Sequence, residues 1–202
     1  MCGRYYIADE DAAEELKQII DEVNRRYNGT SGVKTAGEVF PMDIVPVIAE
    51  SAGEPEVQIM RWGYTLPDNK ISFNARSEEG SVSRMYRVGL ETSRCLIPAT
   101  NYFEWCDGMK PKPKYEIKPA DGDIMYMAGV YRQEGNRRVF SILTRKPAES
   151  IRFIHDRMPV ILPAFAAKDW LNTRYKAEEI LAHANLNVVA RSLMPEQISM
   201  DI

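Results

Sequence analysis

Apolar and polar positions change their period twice along this chain. Over residues 9–27, Ala12, Leu16, Ile19, Ile20, Val23 and Tyr27 recur at three- and four-residue spacing, with charged side chains between them. That period lines one face of an amphipathic helix. Asp9 is placed to cap its start, and Asn28-Gly29 to end it. From Glu38 to Leu162 the apolar residues come instead in short runs rich in β-branched and aromatic side chains, at residues 44–49, 57–63, 94–98, 101–106, 114–117, 125–132, 139–144 and 158–162. Gly, Pro and Asp separate these runs, which predicts strands joined largely by antiparallel connections, as at Asp121-Gly122-Asp123 and Glu134-Gly135-Asn136. Residues 164–172 and 176–184 return to a helical period. The expectation is one α+β domain over residues 1–202, strand-rich in its middle and mainly antiparallel, with helices at both ends.

Composition narrows the function classes. A chain of 202 residues with 45% hydrophobic and 27% charged side chains suits one globular domain. Its three cysteines, Cys2, Cys95 and Cys106, form no CxxC, and only His155 and His183 could assist them. Neither a disulfide framework nor a zinc site is expected, no cofactor is implied, and the pattern suits a reducing cytosol. No apolar run approaches the roughly 20 residues of a membrane helix. The N-terminus does not open a signal peptide. A cytoplasmic protein with no membrane partner is expected. The net charge of −3 means that nucleic acid would have to be met by a local basic patch.

Four segments carry candidate chemistry. Removal of Met1 would leave Cys2 with a thiol and a free α-amine on adjacent carbons, a pair that internal residues lack. That amine has a reference pKa of about 7.7–8.0, so part of it is neutral at cell pH and can attack an aldehyde. The thiol can then close a five-membered thiazolidine. Asn74 and Arg76, two residues apart, would share one face of a strand. Glu104, between Phe103 and Trp105, sits where desolvation raises a carboxyl toward the range of a general acid. His155, followed by Asp156 and Arg157, offers a base near neutral pH. Arg61, Arg76, Arg84, Arg87, Arg94, Arg145, Lys146, Arg152 and Arg157 gather around these segments, with Trp62 and Trp105 among them. Arginine interleaved with aromatic rings is a pattern that holds single-stranded nucleic acid.

Taken in order, the segments resemble the SOS response-associated peptidase (SRAP) family. The matching pieces are Met1-Cys2-Gly3-Arg4, Met60-Arg61-Trp62-Gly63, Asn74-Ala75-Arg76-Ser77-Glu78, Arg94-Cys95-Leu96-Ile97-Pro98-Ala99, Phe103-Glu104-Trp105, Ala128-Gly129-Val130-Tyr131, Ile142-Leu143-Thr144, and Ile154-His155-Asp156-Arg157-Met158-Pro159-Val160-Ile161-Leu162. The resemblance implies a strand-rich open barrel with flanking helices. It implies a sensor that shields abasic sites in single-stranded DNA by forming a thiazolidine through its N-terminal cysteine, with no obligatory protein partner. On this chain Cys2 would be the nucleophile, and Asn74, Glu104 and His155 would line the pocket. Arg76 and Arg157 would hold phosphates, Trp62 and Trp105 would contact bases, and Arg4 would join the DNA contacts. Self-removal of Met1 would account for the peptidase name. The sequence departs from the family where Tyr64-Thr65-Leu66 puts one extra residue before Pro67, at Asn101-Tyr102-Phe103, and where Phe40 precedes Pro41.

Two other readings use the same cysteine. An N-terminal-nucleophile amidotransferase also begins Met-Cys-Gly, but normally carries an acceptor domain for which 202 residues leave no room. A cysteine peptidase would pair Cys2 with His155 and Asn74.

Overall fold

A computed structural model describes residues 2–8, 13–28, 30–78, 84–108, 110–122, 124–184 and 187–194. In chain order the elements are β1 (Arg4–Ile7), α1 (Glu14–Arg26), β2 (Gly37–Val39), β3 (Ile44–Ser51), β4 (Glu54–Trp62), β5 (Tyr64–Thr65), β6 (Ile71–Ser72), β7 (Asn74–Arg76), α2 (Arg84–Thr92), β8 (Arg94–Ala99), β9 (Asn101–Trp105), β10 (Lys114–Pro119), β11 (Met125–Glu134), β12 (Arg137–Arg145), β13 (Met158–Pro159), β14 (Ile161–Leu162), α3 (Ala164–Leu171), α4 (Ala177–Leu181) and β15 (Val188–Ser192). Helix α1 starts at Glu14, and the expected cap Asp9, the first apolar position Ala12 and the terminating Gly29 lie outside the described residues, as does Asp123.

Strands β3, β4, β8, β11 and β12 form a ring. Four of its contacts are antiparallel, β4–β3, β3–β8, β8–β11 and β11–β12. A parallel pairing of β12 with β4, Val139 beside Arg61 and Phe140 beside Trp62, closes it. The fold is thus strand-rich α+β and mainly antiparallel, with the barrel closed at its core. Alternation explains the filling: Val45, Val47 and Ala49 of β3 and Met60 and Trp62 of β4 are buried at every second position. Gly63 follows Trp62 at φ +111°, a left-handed conformation that turns the chain out of β4, and a Cβ there would meet Ile71 Cγ2 at 2.3 Å.

A second sheet, in the order β15-β10-β9-β1-β2, lies against this barrel. One core cluster joins the two: Cys2, Tyr5, Tyr102 and Ile117 from the sheet side pack with Val47, Met60, Ile97, Met127 and Phe140 from the ring. The other cluster lies under the helices, where Tyr86 and Leu90 of α2 and Trp170 of α3 pack on Leu96, Ala128 and Val130. Trp170 Nε1 donates to Cys95 O at 2.9 Å, which fixes α3 on β8. Among the described residues no helix is long and apolar enough to cross a membrane.

Candidate active site

The seam between sheet and barrel holds the N-terminal residues. Strand β1 pairs with β9 so that Tyr5 faces Tyr102 and Arg4 faces Phe103. Side chains directly opposite share a face, and faces alternate along a strand. Tyr5, Tyr102 and Glu104 therefore point inward, as does Ile117 opposite Tyr102 on β10, while Arg4, Phe103 and Lys114 point outward. On the inward side Tyr5 and Tyr102 are 0% exposed and Glu104 is 4% exposed, while Phe103 on the outward face is covered by Lys114 and Tyr6 and is 6% exposed. Cys2 lies just ahead of β1 and is fully buried. Its Sγ lies 3.7 Å from Arg4 O, and its own carbonyl accepts Asn74 Nδ2 at 2.8 Å.

Asn74 reaches Cys2 because β7 runs parallel to β12, Asn74 beside Ile142 and Arg76 beside Thr144. Ala75, facing the other way, is buried, and Arg76 is exposed. The two-residue spacing thus places an amide at Cys2 and a guanidinium at the surface.

Electrostatics make this an acid-rich, poorly solvated interior. Burial pushes the Cys2 thiol well above its ordinary value, and the negative charge of Glu104 pushes it further. Burial likewise raises the Glu104 carboxyl, while the charge of His155 acts in the opposite direction. The Tyr5 and Tyr102 phenols are raised first by burial and next by Cys2. Their hydroxyls, and Oδ1 of Asn74, have no hydrogen-bond partner among the described residues. Such orphan polar atoms mark a site able to meet a polar substrate group.

His155 sits in the segment leading into β13. Its Nδ1 lies 3.0 Å from the Arg157 backbone N–H and 2.9 Å from Asp156 Oδ1. Nδ1 can accept from the first or donate to the second, but not both at once. The Arg157 guanidinium, with 9% of its side chain exposed, donates to both carboxylate oxygens of Glu78 and to Thr144 O at 2.6 Å. That pair fastens the histidine segment to the end of β7.

At the rim the Arg4 guanidinium lies 4.7 Å from the Phe40 ring centre and 4.8 Å from that of Trp105. Lys114 Nζ lies 3.9 Å from the Phe103 ring and 5.6 Å from Trp105. Glu38 accepts from both cations. Cys2, Asn74 and Glu104 thus meet in the interior, with His155 coupled to Glu104 by charge, while Arg4 and Trp105 meet on the outward face of the same sheet.

Two residues expected to contact DNA are engaged within the fold. Trp62 is 0% exposed, its ring packed by Tyr5, Phe73 and Phe140 and its Nε1 donating to Phe73 O, so stacking on a base would require it to leave the core. Arg157 would have to release Glu78 to meet a phosphate. Phe40 and Lys114, which complete the rim, were not expected; the aromatic before Pro41 and the lysine at the head of a strand pairing with Trp105 are their signals. Among the described residues no three His, Cys, Asp or Glu side chains cluster as metal ligands.

Comparison with known proteins adds three findings. Residues 1–202 match the family described as SOS response associated peptidase (SRAP). Two relatives from Bacillus subtilis (strain 168) are the abasic site processing protein YoqW, 32% identical over 86% of this chain and 81% of its own length, and the abasic site processing protein YobE, 30% identical over 98% and 94%. The fold is shared with a phage-related protein of Bordetella bronchiseptica, at a TM-score of 0.73 and 21% identity over 96% of this chain and 95% of that one.

Proposed function

The chain belongs to the SOS response associated peptidase (SRAP) family, and we propose that it captures abasic sites in single-stranded DNA covalently through Cys2 once Met1 is removed. The names of its relatives supply the substrate class. The observation that carries the chemistry is the hydrogen bond from Asn74 to the Cys2 carbonyl in an interior shared with Glu104.

The α-amine of Cys2 adds to the aldehyde carbon of the ring-opened deoxyribose and gives a carbinolamine. Loss of water from it needs a proton on the departing oxygen, and Glu104, whose carboxyl burial raises above its ordinary value, is the proposed donor. The thiol then adds to the imine carbon, its proton passes to the nitrogen, and the ring closes. The net change is the loss of one water. His155 serves the sugar oxygen. Arg76, Arg4 and Trp105 receive the flanking strand, the first two by charge and the last by stacking. Single strands are favoured because the sugar has to swing into a pocket, which duplex stacking opposes.

A raised thiol pKa favours this reading over a cysteine peptidase, whose nucleophile is a stabilised thiolate. Intact mass measurement of the product tests it. The expected mass is that of the chain without Met1 plus the DNA minus one water; a peptide cleaved in trans with no DNA adduct would support the peptidase instead.

A further inference from the structure

We propose that the cleft between α2, the head of β8 and the turn entering α4 is a phosphate-binding site, separate from the buried Cys2 site. The cleft has a volume of about 490 Å³. Its walls carry four cations, Arg87, Arg94, Arg174 and Lys176, against two carboxylates, Glu91 and Glu178. In a chain of net charge −3 this positive excess is local.

Arg94 decides the assignment. It is 4% exposed. Its Nε donates to Leu90 O at 2.6 Å, and its Nη1 has only long contacts of 3.5 Å to Trp170 O and Asn172 O. The Trp170 ring lies 5.0 Å from the guanidinium carbon. Nη2 has no acceptor among the described residues. Glu178 acts on this guanidinium through charge, but no described carboxylate forms an ion pair with it. A buried charge without a close counter-charge is unfavourable, and arginine does not relieve it by losing its proton. The carbonyls at the ends of α2 and α3 hold Nε and Nη1 and offset part of this charge, which leaves Nη2 to meet a ligand in the cleft it lines.

That ligand is an oxyanion with several acceptor oxygens. A phosphate takes parallel N–H donations from an arginine fork and carries enough charge to meet the neighbouring cations, whereas a lone carboxylate meets only part of them. The phosphate could belong to a small compound or to a nucleic-acid backbone. Arg94 and Ala99 begin and end β8, and Thr100 bonds to Tyr6 O and Ala8 N beyond it, so the cleft lies about 20 Å along the strand from the N-terminal segment. The inference does not depend on capture chemistry at Cys2.

The test is titration of the isotope-labelled full chain with inorganic phosphate, followed by amide NMR against chloride at equal ionic strength. Saturable shifts are expected in residues 87–94 and 173–178. Arg87→Gln with Arg174→Gln should weaken binding at least tenfold without unfolding the chain, and Arg94→Lys should weaken it while keeping the charge. A single strand without abasic sites is then added to the phosphate-loaded protein. Displacement at the cleft amides identifies backbone phosphate as the source; retention of phosphate there identifies a small phosphate compound. Absence of saturable shifts at the cleft, or equal shifts in the double variant, would overturn the proposal.

Discussion

The side-chain amide of Asn74 donates to the main-chain carbonyl of Cys2 across 2.8 Å, tying the N-terminus to a strand that begins 72 residues later. The bond restricts rotation about the Cα–C bond of Cys2 and thereby aims its amine and thiol. Asn74→Ala should slow adduct formation about fivefold to tenfold, the worth of one such hydrogen bond, with little change in unfolding midpoint. Single-turnover crosslinking checks this, and an unchanged rate would remove Asn74 from the account.

On the proposed mechanism Glu104 would link capture to pH. Its folded carboxyl is raised by burial above an unfolded value of about 4.3. The folded chain then holds this proton more tightly than the unfolded one. Its stabilising contribution is full below about pH 4.3 and is lost as pH rises through the folded value. Glu104→Gln should match wild type in urea at pH 4 and exceed it at pH 8, while capturing DNA about 100-fold more slowly. Parallel pH profiles of stability for the two proteins would contradict this.

The pair of Glu78 with Arg157 has the opposite sign. The Arg157 hydrogen bonds hold the Glu78 carboxyl below its ordinary value. That stability is present above about pH 4.3 and is lost as pH falls through the folded value. Glu78→Gln should cost about 2 kcal/mol at pH 7 and little at pH 3, as read from denaturant unfolding at both. An equal loss at both pH values would show that shape, not charge, matters here.

Arg76 and Arg157 should separate in DNA binding, because one guanidinium is exposed and the other is engaged by Glu78. Arg76→Ala should flatten the salt dependence of binding by roughly one charge. Arg157→Lys should change it less. Trp105→Ala should lower affinity by about 1–3 kcal/mol with the slope unchanged. Affinities measured over a range of salt distinguish these, and equal slopes for Arg76→Ala and wild type would count against Arg76 as a phosphate contact.

Much of the fold was legible because long strands write a period into the sequence. The run at 125–132 became Met125–Glu134, and that at 139–144 became Arg137–Arg145. The run at 158–162 divides into two short strands around Val160, whose N–H bonds to Leu143 O. Helix α2 escaped notice because it is short and holds Gly89, which tertiary packing requires: a Cβ there would come 2.8 Å from Val130. Strands β1, β2 and β15 carry few residues and exist through their partners. At the site, residue type located the chemistry but not the burial. Trp62 and Arg157 belong to the types that meet DNA, yet their exposure depends on Phe140 and Glu78, which are distant in sequence.

The central claim is that Cys2 supplies both amine and thiol. The direct measurement is the yield of denaturation-resistant complex between the Met1-free chain and a single strand carrying one abasic site. Wild type should give a stable adduct. Cys2→Ala should give a product seen only after reductive trapping of its imine, and a chain that retains Met1 should give neither. A stable, untrapped adduct from Cys2→Ala at the wild-type yield would contradict the account.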